Sequence, residues 1–200
     1  MYTVFKRLLD VVLSLLLLLL LSPVFVIVAV IIHVDSDGPV IFKQLRSGQH
    51  GRPFIIYKFR TMLTETPANV ATAQLGQSHR YITPVGRFLR QTSLDELPQL
   101  LNVLKGDMSF VGPRPVIPAE RYLLRLRHLR KADTVRPGIT GLAQIRGRDE
   151  LPPRIKAGYD AEYAANVSFL LDAYIFFSTL RYVIRREGIH EGSADLYRKS

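Results

Sequence analysis

The chain contains no cysteine, which excludes disulfide bonds, iron–sulfur clusters and thiol catalysis. It also lacks a glycine-rich loop of the Walker or dinucleotide-binding type, and its five histidines show no metal-ligand spacing. Acidic residues are few, because 17 Asp and Glu stand against 27 Lys and Arg and leave a net charge of +10. This excess favours anionic partners, which include phosphorylated ligands, anionic lipid headgroups and nucleic acid, without choosing among them.

Residues 8–34 form a long apolar run, in which positions 15–21 are all leucine. The run is too long for the core of a typical signal peptide, and no small-residue cleavage site follows it, so we expect it to be retained. Ser22 and Pro23 interrupt its middle, and proline kinks a helix because it removes a backbone donor. Each arm would rise only about 16–21 Å, which is less than a bilayer core of roughly 30 Å.

Basic residues flank the apolar run on both sides, with Lys6 and Arg7 before it and Lys43, Arg46 and Arg52 after it. The positive-inside rule would place both flanks in the cytoplasm. A helix-break-helix hairpin that enters and leaves one leaflet satisfies this rule and the central break, if the bent backbone is covered by a group such as the serine hydroxyl. A kinked transmembrane span is the alternative that the residues leave open.

Two strand-like runs, residues 40–45 and 53–62, follow the apolar run. Alternation in the second run places Lys58 and Arg60 on one face, about 7 Å apart, which predicts an anion-binding site. The alternative is a strand face in contact with solvent. Residues 64–79 are polar and lack periodicity, so they predict a loop, which we expect to influence the choice of substrate.

Two adjacent carboxylates, Asp95 and Glu96, open an apolar segment that predicts a helix from near Asp95 to Lys105. Ser93 and Glu96 fit the capping-box pattern, which would make both acids structural. Pro98 weakens that interpretation, because it would then sit beyond the first helical turn and remove a hydrogen bond. In either case a helix N-terminus would favour ionised Asp95, which is the form that a nucleophile or a metal ligand needs.

Arginines flank the acid pair in the sequence, with Arg87 and Arg90 before it and Arg114 after it. Arg114 stands between two prolines, which restrict its backbone and leave little backbone entropy to lose on binding. Guanidinium groups bind phosphate through paired hydrogen bonds, so carboxylates among such cations indicate chemistry on phosphate. An ordinary surface loop is the alternative for the proline-rich segment.

Residues 121–131 and 168–186 predict amphipathic helices, the first basic and the second mixing aromatic side chains with arginines. Such helices often lie in a membrane interface, with their basic residues towards the headgroups. A core helix with one polar face is the alternative for each of them.

The motifs together resemble the bacterial sugar transferases, also called monotopic phosphoglycosyl transferases. Any one motif is weak, whereas the ordered set is highly specific and covers nearly the whole chain. The matching elements, in the family's order, are Lys6-Arg7-x-x-Asp10, Ser22-Pro23, Tyr57-Lys58-Phe59-Arg60-Thr61-Met62, Ser93-Leu94-Asp95-Glu96-Leu97-Pro98-Gln99-Leu100, Asn102-Val103-Leu104-Lys105-Gly106-Asp107-Met108-Ser109, Gly112-Pro113-Arg114-Pro115 and Arg136-Pro137-Gly138-Ile139-Thr140-Gly141.

The resemblance implies transfer of a sugar phosphate from a UDP-sugar to a polyprenyl phosphate, usually undecaprenyl phosphate, with release of UMP. This is the first membrane step of glycoconjugate assembly. In the family the Asp of the Asp-Glu pair is the nucleophile, so Asp95 would carry a covalent phosphosugar, and Glu96 would help to handle the proton and place the acceptor phosphate. The family requires Mg²⁺, for which Asp95 is the expected contact.

Cations must accompany this chemistry, because a carboxylate that approaches a diphosphate is repelled. Mg²⁺, Lys58, Arg60 and Arg114 are the candidates. Arg60 is a mild departure from the family pattern, since some relatives carry lysine there. By resemblance, three further site residues are expected: Thr61, Arg148 and Asp160.

The resemblance also implies an architecture. The break at Ser22-Pro23 would keep the hairpin re-entrant and monotopic on the cytoplasmic face of the bacterial inner (plasma) membrane, in contact with lipids. A small cytosolic catalytic domain would follow, of mixed α/β class but mostly helical, with amphipathic helices at the interface. The expected division is a membrane element at 1–34, the catalytic domain at 35–187 and a polar tail at 188–200. A homodimer is left open.

Two other functions fit parts of the sequence. Asp35-Ser36-Asp37 has the Asp-x-Asp pattern that holds metal in nucleotide-sugar glycosyltransferases, but it abuts the apolar run and no dinucleotide-type fold precedes it. The net charge of +10 would suit a membrane-tethered nucleic-acid binder. No recognisable nucleic-acid motif supports that function, so we expect no nucleic-acid partner.

Overall fold

Helices predominate in the computed structural model, which describes residues 2–66, 80–147 and 151–185. Eight α-helices, three 3₁₀ turns and four strands lie within those ranges. The helices are α1 (Tyr2–Leu20), α2 (Ser22–Asp35), α3 (Pro84–Gln91), α4 (Gln99–Lys105), α5 (Arg121–Leu129), α6 (Leu142–Gly147), α7 (Pro153–Ala165) and α8 (Phe169–Arg185). The strands are β1 (Ile41–Ser47), β2 (Pro53–Phe59), β3 (Ser109–Val111) and β4 (Gly138–Thr140).

The chain bends by 61° where α1 meets α2, at the predicted break. Pro23 lies in the first turn of α2, where its missing N–H leaves no helical bond unmade. The Ser22 hydroxyl donates to the carbonyl of Leu19 at 2.8 Å and so covers part of the bent backbone. No single described helix is long and apolar enough to cross a membrane, and only this bent pair, taken together, meets that length and composition.

The polar side of α1 faces inward. Its buried residues are Asp10 and Ser14, whereas most of its leucines and valines are exposed. Polar contacts also join α1 to the rest of the fold: Arg7 donates to the carbonyls of Val103 and Leu104 at the end of α4, at 2.6 and 2.8 Å. This arrangement leaves a large apolar surface uncovered, which marks an interaction site.

A β-hairpin and the helix beside it form the support for the acid pair. β1 and β2 are antiparallel, with Ile41 opposite Phe59. The free edge of β2 is closed by Asn102 of α4, which accepts from the Tyr57 amide at 3.0 Å and donates to the Ile55 carbonyl at 2.7 Å. A side-chain amide thus replaces a neighbouring strand and fixes α4 against β2.

The second sheet is a short parallel pair, β3 and β4, with Ser109 opposite Gly138 and Val111 opposite Thr140. Both strands lie in segments for which the sequence predicted no strand, because three residues are too few to show alternation. β3 leads directly into the loop that carries Arg114. The hydrophobic cluster of α6, α7 and α8 packs behind it, around Tyr163.

The segment around the acid pair departs from the predicted single helix. Leu94–Glu96 forms a 3₁₀ turn, and α4 begins only at Gln99, with Pro98 as its N-cap. Ser93 has a left-handed backbone, with φ of 57°, and its side chain makes no capping hydrogen bond. The capping box therefore does not form, and Asp95 is not the N-cap of α4.

The other predicted elements stand in part. The mixed α/β, mostly helical class is confirmed, and α5 and α8 lie where amphipathic helices were predicted. The division at residues 34 and 187 stays a prediction. Arg148, residues 67–79 and the tail at 188–200 lie outside the described residues.

Replacing Asn102 by alanine should weaken the fold, because it leaves the Tyr57 amide and the Ile55 carbonyl without partners. We expect the free energy of unfolding to fall by about 2–4 kcal/mol. Urea unfolding of the protein in detergent micelles measures this. The matched control is Asn166→Ala, which removes an exposed amide at the end of α7 and should have a far smaller effect. Equal losses in the two variants would contradict the role given to Asn102.

Candidate active site

The acid pair lies where three segments of the chain meet. Lys58 comes from the end of β2, Asp95 and Glu96 from the 3₁₀ turn, and Arg114 from the loop after β3. The Lys58 ammonium is 2.7 Å from one oxygen of Glu96, and Arg114 reaches both oxygens of the same carboxylate, at 2.6 and 3.4 Å. Glu96 is therefore held between two cations.

Asp95 is buried, with 8% of its surface exposed, but it is not held in this way. The Lys58 ammonium lies 3.7 Å from its nearer oxygen, which is too far for a hydrogen bond. Among the residues that the structure describes, none donates a hydrogen bond to this carboxylate. Asp95 thus has its oxygens available to a ligand, whereas its neighbour does not.

The pKa values of the two acids shift in opposite directions, because Glu96 is held by two cations and Asp95 is not. Burial alone would raise the pKa of Glu96, but the charges and hydrogen bonds of Arg114 and Lys58 outweigh burial and hold that pKa well below its usual range. Burial raises the pKa of Asp95, and the Glu96 charge adds to the rise, while Lys58, Arg90 and Arg114 oppose it. Asp95 lies in the 3₁₀ turn before α4 rather than at the N-terminus of that helix, so the helix-terminus argument for an ionised Asp95 does not apply.

Among the described residues, the Thr61 side chain contacts Arg90 rather than the acid pair. Its hydroxyl accepts from the Nε of Arg90 at 2.9 Å, and Arg90 is one of the charges that act on Asp95. α3 can bring Arg90 here because Gly86 lies against the Thr61 backbone, where an added Cβ would come within 2.0 Å of the carbonyl oxygen. Thr61 therefore orients a cation of the site.

Arg60 lies away from Lys58, contrary to the predicted shared face. β2 ends at Phe59, and the buried Arg60 guanidinium instead donates to the carbonyls of Ile32, Ser36 and Asp37, where α2 ends. The predicted anion-binding site of Lys58 and Arg60 does not form. The alternation argument failed because it was carried past the last residue of the strand.

Asp160 also lies apart from the acid pair. It is in α7, and it accepts from the Nε of Arg127 of α5 at 2.8 Å. The sequence did not indicate Arg127 as a functional residue, because a basic amphipathic helix is expected to turn its arginines outward. In the structure this arginine is buried. The position of Arg148 relative to the acid pair is not described.

The acid pair offers few protein ligands for Mg²⁺. The described residues contain no group of three acidic or histidine side chains that could hold a metal. Mg²⁺ is usually held by one or two carboxylates together with water and substrate phosphates, and Asp95 offers one carboxylate without hydrogen-bond donors. Asp95 therefore fits a Mg²⁺ shared with a phosphorylated substrate, whereas Glu96 is committed to Lys58 and Arg114.

Paired carboxylates among cations, next to an outward-facing apolar helix pair, are typical of an enzyme that handles phosphate groups. Residues 1–186 match the family model of the bacterial sugar transferases, and the chain belongs to that family. The family expectation from the sequence is confirmed.

Three relatives illustrate the match. The uncharacterized sugar transferase EpsL of Bacillus subtilis is 42% identical over 94% of this chain and 91% of its own length. The UDP-glucose:undecaprenyl-phosphate glucose-1-phosphate transferase of Klebsiella pneumoniae is 43% identical over 88% of this chain and 39% of its own length. The undecaprenyl-phosphate galactose phosphotransferase of Salmonella typhimurium is 40% identical over 92% of this chain and 41% of its own length. The chain thus spans about two fifths of the last two proteins.

Replacing Arg60 by methionine should destabilise the protein, because the carbonyls at the end of α2 lose their donor. We expect the free energy of unfolding to fall by about 1–3 kcal/mol. Urea titration of the protein in detergent micelles measures this. Arg52→Met, in the exposed turn between β1 and β2, is the matched control and should not change stability. If Arg60→Met unfolded at the same urea concentration as the wild type, the capping role would be wrong.

Proposed function

We propose that the protein transfers a sugar phosphate from a UDP-sugar to a polyprenyl phosphate, such as undecaprenyl phosphate, and releases UMP. The observation that carries the proposal is the buried, open carboxylate of Asp95 beside a Glu96 that is held by two cations. The names of the Klebsiella and Salmonella relatives support the same acceptor and two donors, UDP-glucose and a galactose donor.

The transfer would proceed in two displacements at one phosphorus atom. An oxygen of Asp95 bonds to the phosphorus that carries the sugar, while the bond from that phosphorus to the bridging oxygen breaks and UMP leaves with the electron pair. An oxygen of the polyprenyl phosphate then attacks the same phosphorus, and Asp95 leaves as a carboxylate. Covalent catalysis of this kind replaces one difficult displacement by two easier ones.

The raised pKa of Asp95 suits a nucleophile. A carboxylate whose charge is poorly compensated gains more from bonding to phosphorus than one that is already satisfied by hydrogen bonds. Lys58, Arg90 and Arg114 supply positive charge around it and would offset the negative charge of the donor.

Glu96 has a different part in this proposal. A carboxylate whose pKa is held well below its usual range is a weak base. We therefore assign it chiefly to holding Lys58 and Arg114 at the distance that the phosphates need. A role in proton handling would require the substrate to draw one of these cations away from Glu96 first.

Mg²⁺ is proposed as the cofactor, with Asp95 as its protein contact and the donor's phosphates as its other ligands. When bound, it would supply positive charge to the phosphate oxygens during both displacements.

The membrane association is also a proposal, in which α1 and α2 form a re-entrant hairpin in the cytoplasmic leaflet of the bacterial inner membrane. The 61° bend, the apolar side chains that face outward and the basic residues on both flanks support it. α8 would lie in the interface, since Leu170 and Phe177 are among its exposed apolar residues. Such a shallow anchor would let one site reach a water-soluble donor and a lipid acceptor.

Purified protein should release UMP in the presence of Mg²⁺, undecaprenyl phosphate and the correct member of a UDP-sugar panel that includes glucose and galactose donors. Asp95→Asn should abolish the release, and EDTA should reduce wild-type release to the same background. The matched control is Asp37→Asn, which should stay active, because the contact that Asp37 makes within the described residues is through its main-chain carbonyl and its side chain is exposed.

Two results would count against the proposal. Undiminished UMP release by Asp95→Asn would remove Asp95 from the reaction. Loss of activity in Asp37→Asn alone would favour the Asp-x-Asp glycosyltransferase alternative.

UMP release should fall at acidic pH, because protonation removes the nucleophile. Since burial raises the pKa of Asp95, the fall should occur at a higher pH than for an ordinary aspartate. Lys58→Met removes a charge that lowers the pKa of Asp95. The acid limb of the pH–rate profile, measured on the activity that this variant retains, should therefore move to still higher pH. Lys105→Met, which removes an exposed lysine stacked on Tyr57, should leave the limb in place. A limb unmoved in Lys58→Met would mean that Lys58 does not act on Asp95.

A further inference from the structure

We infer that Arg127 is a positioning residue for the transfer reaction, which with Asp160 fixes the main chain at Arg114 and thereby the guanidinium that faces Glu96. This inference rests on the proposed function. It assigns Asp160, expected at the site by resemblance, to a place behind the site instead.

A continuous set of contacts joins α7 to the acid pair. Asp160 and Arg127 are 1% and 5% exposed, and the Nε of Arg127 donates to Asp160 at 2.8 Å. One terminal nitrogen of Arg127 then donates to the main-chain carbonyl of Arg114 at 3.0 Å. The side chain of Arg114 points to the other side and holds Glu96.

The Arg114 loop needs such a donor because it has few ways to hold itself. The prolines at positions 113 and 115 have no N–H to donate, so the loop is held chiefly through its carbonyls. The Pro113 carbonyl accepts from the Gly138 amide at 3.0 Å and the Pro115 carbonyl from Arg46 at 3.2 Å. Arg127 supplies the middle contact, directly at the residue whose side chain reaches the site.

The buried charge of Arg127 gives the contact its strength. An ion pair taken out of water adds little stability by itself, so stability alone does not account for the Arg127–Asp160 pair. Asp160 neutralises and orients the guanidinium, and a charged donor makes a stronger hydrogen bond to a carbonyl than a neutral one does. A shift of the Arg114 backbone would be carried along its long side chain to the cation beside Glu96 and Asp95.

The test is a double-mutant cycle on the rate of UMP release. Arg127→Met should lower kcat by about 10- to 100-fold, as expected for a misplaced charged group. Arg127→Lys keeps the positive charge but cannot donate to Asp160 and to the Arg114 carbonyl with the geometry of a guanidinium. It should therefore recover part of the lost kcat. In an Arg114→Ala background, Arg127→Met should cause no further loss, because its effect acts through Arg114. Losses that multiply in the double variant would overturn the inference.

A double variant without either buried charge, called the charge-free pair, distinguishes an effect on stability from an effect on the position of Arg114. Arg127→Met combined with Asp160→Leu removes both buried charges, which often leaves stability unchanged. It should keep the thermal stability of the wild type but retain the low kcat. Recovery of full activity in this pair would show that only an unpaired charge had mattered, and would overturn the inference. The matched control Arg125→Met, on the exposed side of α5, should be fully active.

A structural readout makes the inference testable even if no donor in the panel gives UMP release. Hydrogen–deuterium exchange of the peptide that covers residues 112–117 should speed up in Arg127→Met and in the charge-free pair, but not in Arg125→Met. Unchanged exchange in this peptide would overturn the positioning role. Failure of the proposed function, by contrast, would leave the exchange result as expected and remove only the reaction that the position serves.

Discussion

The carboxylate of Glu96 is the contact on which the site depends, because it joins three segments that are far apart in the sequence. Lys58 approaches it from β2 and Arg114 from the loop after β3, at 2.7 and 2.6 Å. Since Glu96 holds both cations, the adjacent Asp95 is left buried with its charge only partly compensated. Two acids that are neighbours in the chain thus differ in their surroundings: Glu96 is held by two cations, whereas Asp95 accepts no hydrogen bond from the described residues.

The rest of the fold keeps these three segments in register. Asn102 closes the edge of β2, which carries Lys58, and Arg60 ties the end of the same strand to the end of α2. The apolar helix pair is therefore joined to the site within two residues of Lys58. This short connection suits an enzyme whose acceptor is a lipid phosphate, because the position of the helix pair in a membrane would set the depth of the site.

The sequence predicted those features that have a local signal. The break at Pro23 follows from proline chemistry, the strands from alternation, and the acid pair from its motif, and the ordered motifs identified the family. Features that depend on tertiary contacts were not predicted or were predicted wrongly. Arg60 was placed on the face of Lys58, because no local signal marks the end of β2 at Phe59. The burial of Arg127 against Asp160 could not be predicted, since the helix that carries it looks uniformly basic and the partner lies 33 residues away.

The central claim is that Asp95 is the group that bonds to the sugar phosphate, and the mass of the protein after exposure to donor alone tests it most directly. With Mg²⁺ and an active UDP-sugar but no polyprenyl phosphate, intact-protein mass spectrometry should detect an increase equal to one sugar phosphate. Peptide mapping should place the adduct on Asp95, and added polyprenyl phosphate should remove it. UMP release that requires both substrates together, with no adduct at any quench time, would contradict the claim and indicate direct transfer between donor and acceptor.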